Sequence, residues 1–286
     1  MRLARVTVGA ICDFALQSST GEWVPFASVG IDAGTTAEAI DEIRSVRARV
    51  AAGRGEPVHD DAQLGCPIVA PSKMLAIGLN YMDHIRETNA KKPASPVVFA
   101  KYPNSLLGPF GEIVVESDLT QKADYESELA VIIGTRTRRV STDAALASVF
   151  GYAVANDVSA RDLQHSESQF SRSKSLDTFC PIGPWITTAD DVPDPQSLAI
   201  RSSVNGEYRQ TSNTKEMIFS VARLISHLSQ TMTLEPGDVI LTGTPHGVGF
   251  AMTPPRFLAA GDVVRCEVEG LGAIENRVVA EVAKAG

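Results

Sequence analysis

The chain has 286 residues and a mass of 30.5 kDa, with 26 Lys and Arg against 34 Asp and Glu, a net charge of −8 and a pI near 5.2. That length supports a full hydrophobic core, and the 44% hydrophobic and 21% charged fractions are those of an ordinary globular protein. The acidic balance and the lack of a basic block argue against a nucleic-acid or membrane partner, and no uncharged stretch approaches the ~20 residues that span a bilayer.

At the N-terminus, MRLARVTVG and the stretch from Trp23 to Val29 read as short strands. Thr35 and Glu38 make a capping box before a helix that carries Ile40, Ile43, Val46 and Val50 at helical spacing. AAGRGEPVHDDAQLGCP, rich in Gly, Pro and Asp, reads as a linker, setting a small N-terminal α+β domain over 1–68 apart from a second domain over 69–286. Beyond Met74 strands dominate. A short helix is expected after Ser141 or Thr142, and Gly151 to Asn156 reads as a buried strand ending at Asp157. Asn205-Gly206 is the dipeptide of a type I′ hairpin, whose two central residues need positive φ. Lys215 to Gln230 reads as a helix, with Met217, Ile218, Val221, Leu224, Ile225 and Leu228 in one apolar stripe. Near the end, Val264, Cys266 and Val268 alternate with Arg265, Glu267 and Glu269, the period of a half-buried strand. Strands in runs with helices set apart make a mainly β, α+β fold. Cys12, Cys66, Cys180 and Cys266 form no CxxC pair, so neither zinc nor a disulfide framework is indicated, and a reducing cytoplasm is the expected compartment.

The segment Tyr125 to Gly134 is strongly β-prone, and residues two apart on a strand share a face. Glu126 and Glu128 therefore project together from an otherwise apolar strand, which is costly unless a cation lies between them or the strand end reaches solvent. Asp157 supplies a third acid, or else caps a helix. Two glutamates and an aspartate without His or Cys make a hard oxygen site suited to Mg²⁺ or Mn²⁺, with Ca²⁺ a further fit. Arg161 and Gln164, three apart, can face one pocket.

His84 and Glu87 also stand three apart, where a carboxylate can orient an imidazole as a base; on a surface the same spacing is only a polar pair. Thr88 to Pro96, polar with two prolines and two lysines, reads as a mobile loop suited to a lid. Lys174 is a lone cation before an apolar run, either an oxyanion partner or a solvated lysine. Asp238 to Leu241 runs into the glycine-rich loop Thr242 to Gly249, which lets backbone amides approach an anion but lacks P-loop spacing. No GxSxG elbow is present.

Taken in order, GLNYMDHIRE, DYESELAVIIG, NDVSARDLQ, SKSLDTFCP and LTGTPHGVG resemble the fumarylacetoacetate hydrolase family from about Met74 to Val279. The resemblance implies a mixed β-roll domain, a homodimer, and a divalent metal on Glu126, Glu128 and Asp157. It implies a catalytic dyad at His84 and Glu87, a catalytic lysine at Lys174, and substrate contacts at Arg161, Gln164 and Thr244. The expected activity is metal-dependent hydrolysis of a carbon–carbon bond in a β-diketo acid, such as an acylpyruvate, a fumarylpyruvate or a diketo sugar acid. The rivals are an oxaloacetate decarboxylase, an isomerase of the 2-hydroxyhepta-2,4-diene-1,7-dioate type using the same metal enolate, and a silent binder of 2-oxo acids. Side chains that choose the substrate are expected in the Thr88 to Pro96 loop, around Phe170 to Arg172, and at His246.

Overall fold

The computed structural model describes residues 1–9, 11–58 and 62–281. Its centre is the strand Ser127–Ile133, in which every residue is buried. Alternate side chains of a strand point to opposite faces. Leu129, Val131 and Ile133 enter one core, while Ala130 and Ile132 enter another. Burial on both faces explains why this strand is apolar throughout instead of alternating.

Eleven strands form the main sheet. Its path runs Trp23–Pro25, Ile11–Gln17, Arg2–Val8, Cys180–Thr188, Val149–Asn156, Ser127–Ile133, Val239–Leu241, Met74–Gly78 and Val97–Lys101. Gln63–Gly65 pairs with Arg2–Val8, and Leu106–Leu107 with Cys180–Thr188. The leading segment thus continues the same sheet, with Leu3 opposite Ile186. Part of the expected linker is itself the strand Gln63–Gly65, and its residues 59–61 lie outside the described residues.

A second sheet of five strands runs Glu207–Asn213, Ala199–Val204, Val263–Val268, Gly272–Glu281 and Ile113–Glu116. Its inward residues Ile200, Val264, Cys266, Ile274 and Val278 share a core with Leu129, Val131, Tyr152 and Val154 of the main sheet. The opposite face of the main sheet is covered by α1 (Thr36–Ala51), whose Ala39, Ile40 and Val46 pack with Leu3, Phe14 and Phe26. The capping box of α1 is formed as its residues demand, with Thr35 Oγ1 accepting from Glu38 N at 3.2 Å and Glu38 Oε2 accepting from Thr35 N at 2.9 Å.

The remaining helices are α2 (Met82–Thr88), α3 (Thr142–Ala145), α4 (Arg161–Ser166) and α5 (Val221–Thr231). Asn205 and Gly206 take φ of 51° and 79° and close the hairpin between Val204 and Glu207. The Trp23 to Val29 stretch is a strand only to Pro25, followed by a 3-10 turn over Ala27–Val29. The helix expected over Lys215 to Gln230 is shorter. Ser220 caps α5, accepting from Arg223 N at 3.3 Å. Ahead of it, Ile218 N donates to Asn80 O at 2.7 Å and Phe219 N to Asn80 Oδ1 at 2.9 Å. Those amide hydrogens leave the helix axis for Asn80, so Met217 and Ile218 keep helical spacing without being helical. Among the described residues, no helix is long and apolar enough to cross a membrane.

Candidate active site

Three carboxylates meet at the end of the central strand. Glu126 immediately precedes Ser127–Ile133, Glu128 lies within it, and Asp157 follows the paired strand Val149–Asn156. The antiparallel register sets Ser127 opposite Asn156, and Asp157 N donates to Glu126 O at 2.9 Å, which locks the two strand ends together. One oxygen from each of Glu126, Glu128 and Asp157 falls within 4.8 Å of the others, and all three residues are buried. Asp157 caps no helix, because α4 starts four residues later behind Ala160.

Three buried cations answer this charge. Lys174 Nζ lies 2.5 Å from Glu126 Oε2 and 2.8 Å from Asp157 Oδ2. Arg161 spreads its guanidinium over Glu126 Oε1 (2.6 Å), Asp124 Oδ2 (2.9 Å) and Gln164 Oε1 (2.9 Å). Lys101 lies 2.7 Å from Asp157 Oδ1 and also donates to the Phe179 carbonyl at 3.0 Å and to the Lys174 carbonyl. Burial alone would raise the Glu126 carboxyl, but Lys174 and Arg161 hold it down at about 2. Glu128 has no such partner. Its Oε2 accepts from Gly243 N at 2.7 Å, and burial, together with the charges of Asp157 and Glu126, pushes its carboxyl well above the usual range.

Counting Asp124, four carboxylates face three cations, and Glu128 is the one left without a cation bonded to it. A hard divalent cation on Glu126, Glu128 and Asp157 fits that donor set and relieves the excess, leaving coordination positions open for water and a chelating ligand.

His84 stands on α2, with Nδ1 3.2 Å from Glu87 Oε2. Glu87 is itself held by Gly247 N, which donates to its Oε1 at 2.8 Å. Gly247 has φ of +97°, and a Cβ there would meet the Arg209 carbonyl at 2.0 Å, so only glycine lets the loop reach Glu87. The start of α2 is fixed by Asn80, whose Nδ2 donates to the Thr242 carbonyl at 2.7 Å and the Phe219 carbonyl at 3.1 Å. The dyad is therefore an anchored pair beside the carboxylates, and not a solvated one.

A cavity of about 190 Å³ opens here, lined among others by His84, Glu126, Asp157, Arg161, Gln164, Lys174 and Thr244. Glu87, bonded to His84, and Glu128, clustered with Glu126 and Asp157, adjoin residues of its wall. The nine residues picked out in the sequence are thus brought to one place. Thr244 arrives with its hydroxyl engaged, donating to Ser127 O at 3.0 Å and accepting from Gln210 Nε2 at 2.7 Å.

No residue from Thr88 to Pro96 lines the cavity. After the left-handed cap Asn89 the chain runs largely exposed to the edge strand Val97–Lys101. The cavity is bounded instead by Leu79, Phe99, His165, Phe170 and Phe250. Arg172 turns to Glu167 at the surface, and His246 Nε2 meets the Thr211 carbonyl at 3.1 Å.

Sequence reasoning passed over Lys101, Asp124, Gln210 and Phe250. Asp124 accepts from Gly249 N at 2.8 Å, Phe250 N at 3.1 Å and Arg161 Nε at 2.9 Å, tying the glycine-rich loop to the guanidinium. Gln210, from the second sheet, also accepts from Ser127 N at 2.9 Å. Two of the four carried a readable signal. Asp124 keeps the even parity of Glu126 and Glu128, and Lys101 shares the inward face of Phe99 in VVFAK.

The model of the fumarylacetoacetate hydrolase C-terminal domain matches residues 73–279. The chain belongs to the fumarylacetoacetate hydrolase family. Among curated relatives, a mitochondrial oxaloacetate tautomerase of Bos taurus is 47% identical over 215 residues, covering 74% of this chain and 68% of that protein. A 2,4-didehydro-3-deoxy-L-rhamnonate hydrolase of a Sphingomonas strain is 47% identical over 223 residues, covering 77% of this chain and 78% of the relative. Among solved structures, a fumarylacetoacetate hydrolase of Exiguobacterium antarcticum superimposes with a TM-score of 0.88 at 40% identity, over 98% of this chain and 100% of that one. A maleylpyruvate hydrolase of Sphingobium, solved with manganese(II) and pyruvate, superimposes with a TM-score of 0.81 at 31% identity, over 98% of this chain and 99% of the other. Family members thus include hydrolases and tautomerases of 2-oxo acids, and the carboxylate cluster described above is this chain's candidate for a divalent metal.

Proposed function

We propose that this chain hydrolyses a carbon–carbon bond in a β-diketo acid of the acylpyruvate or diketo sugar acid type, releasing pyruvate or a related 2-oxo acid, with Mg²⁺ or Mn²⁺ bound. The observation that carries the reading is the His84–Glu87 pair, fixed by Gly247 N and facing the same cavity as Glu126 and Asp157. A divalent cation on Glu126, Glu128 and Asp157 would neutralise the 2-oxo-carboxylate end of the substrate and the charge that develops on cleavage.

Glu87 is an acceptor, so Nδ1 of His84 carries the hydrogen between them and Nε2 is left as the basic atom. A water gives its proton to Nε2 as its oxygen bonds to the distal carbonyl carbon. The bond from that carbon to the methylene then breaks, its electron pair remains as the enolate of the departing 2-oxo acid, and a proton returns to the methylene carbon. Lys174 and Arg161 keep positive charge beside the enolate. Gln164 and the backbone of Thr244 are placed to orient the substrate, the Thr244 hydroxyl being already committed.

A second reading, keto–enol exchange or decarboxylation of oxaloacetate, is favoured by the 47% identity to the oxaloacetate tautomerase. It needs no attacking water. A turnover panel on metal-stripped protein with Mg²⁺ or Mn²⁺ restored separates the two. The expected result is metal-dependent pyruvate release from an acylpyruvate or a diketo sugar acid. Activity confined to oxaloacetate, or isomerisation of a hydroxylated dienedioate without cleavage, would overturn the hydrolase reading.

A further inference from the structure

We infer that His165 is a specificity-determining residue that hydrogen-bonds an oxygen on the acyl end of the substrate, the hydroxyl or carboxylate of an oxygenated tail. The inference rests on the reading above, in which a 2-oxo acid binds through its 2-oxo-carboxylate end. Several polar groups of the cavity are already committed. His84 is bonded to Glu87, Thr244 to Ser127 O and Gln210, and Gln164 Oε1 to Arg161. Glu126 and Asp157 are candidate metal ligands, and Lys174 and Arg161 stand beside them. His165 differs from all of these. It lines the same cavity from the last turn of α4, one residue beyond Gln164, and among the described residues its ring makes no hydrogen bond or ion pair. Since it is not bonded to Glu126, Glu128 or Asp157, its freedom does not depend on whether a cation sits on them.

Phe250 places that imidazole relative to the chemistry. Its ring is met edge to face by both histidines, His84 at 6.2 Å and 88° and His165 at 6.0 Å and 79°. Phe250 is itself held through its backbone, N donating to Asp124 Oδ2 at 3.1 Å, and Gly249 before it has no room for a Cβ. One anchored phenyl ring thus links the candidate base to the uncommitted imidazole. A substrate held by its 2-oxo-carboxylate presents its distal carbonyl to the water at His84, and the chain beyond that carbon has Phe250 and then His165 as its next neighbours. Leu79 and Phe170 continue the wall with hydrocarbon side chains. An oxygen carried on the tail therefore finds its partner at His165, with the Gln164 amide beside it. A neutral imidazole donates from one ring nitrogen and accepts at the other, which suits a hydroxyl; the protonated ring donates from both, which suits a carboxylate. His165 is exposed, so water competes for its nitrogens and the gain in affinity is modest.

Three inert probes test the point without turnover. 2-Oxohexanoate, 6-hydroxy-2-oxohexanoate and 2-oxoadipate share one six-carbon chain, differ only at the far end, and carry no β-diketone to cleave. Each is titrated calorimetrically into the full chain saturated with Mg²⁺ and into His165→Leu treated alike. In the variant an oxygenated probe is expected to bind about fivefold more weakly, the worth of one exposed hydrogen bond, while 2-oxohexanoate changes by less than about twofold. Loss with one oxygenated probe alone supports the inference and names the tail that His165 selects, hydroxyl or carboxylate. Equal loss for all three probes overturns it, since His165 would then act only through its packing on Phe250. Unchanged binding of both oxygenated probes also overturns it, while leaving the 2-oxo acid reading in place. Failure of every probe to bind the parent chain overturns that reading and the inference with it.

Discussion

Lys101 is the residue whose removal tests the charge balance of the site most sharply. Its ammonium is fully buried, 2.7 Å from Asp157 Oδ1, and it donates to the Phe179 and Lys174 carbonyls. Lys101→Met keeps much of the volume but leaves Asp157 short of one partner and the Lys174 carbonyl without its lysine donor, while the Phe179 carbonyl still accepts from Val158 N at 3.1 Å. Breaking a buried ion pair from one side costs about 3–5 kcal/mol. Because Lys174 still holds the other oxygen of Asp157 at 2.8 Å, the low end, about 3 kcal/mol, is expected. At roughly 2–4 °C per kcal/mol for a chain of this size, the metal-free variant should melt roughly 6–12 °C below its parent in a calorimetric scan. With saturating Mg²⁺ the gap should narrow, since a cation on Asp157 takes over part of the lost charge. A metal-free variant melting within about 3 °C of the parent would refute the reasoning, because the carboxylates would then not depend on the cations placed around them.

Other outcomes follow from the same geometry. His84→Ala should lose on the order of 10²–10⁴-fold in hydrolytic turnover with metal affinity intact, as steady-state kinetics beside calorimetry would show. Glu126→Ala should lose on the order of 10²-fold or more in turnover, and calorimetric titration should show weakened Mg²⁺ binding as well. The Glu128 carboxyl lies above its ordinary range, so it keeps its proton where a free glutamate has lost it, whereas binding a cation requires the ion. Metal affinity should therefore rise with pH below that raised pKa, with proton release seen when titrations in two buffers of different ionisation enthalpy are compared. Gly249→Ala would bring a Cβ 2.1 Å from the Arg256 carbonyl and 2.5 Å from Asp124 Oδ1. It should cost about 1–3 kcal/mol in a denaturant melt.

Much of the site was legible because its chemistry follows short-range periodicity. Glu126 and Glu128 share a strand face and His84 and Glu87 a helical turn, so spacing alone paired them. The hairpin at Asn205-Gly206, the Thr35–Glu38 box and the alternation at Val264 to Val268 are local in the same sense. What resisted reading depends on distant partners. Met217 and Ile218 look helical until Asn80, more than 130 residues earlier in the chain, takes the amides of 218 and 219. Gln210 reaches the site only because the second sheet packs on the first. Phe250 sits over Arg161 because Asp124 binds both, a link that only the folded chain reveals.

The central claim is that His84, held by Glu87, activates water against a β-diketo acid at a divalent-metal site. Its most direct test is pyruvate release from an acylpyruvate by metal-stripped protein, with and without added Mg²⁺ or Mn²⁺, in the parent and in His84→Ala. The account predicts release that requires the metal and falls on the order of 10²-fold or more in the variant. Release that proceeds without metal, or a His84→Ala variant as active as its parent, would contradict it.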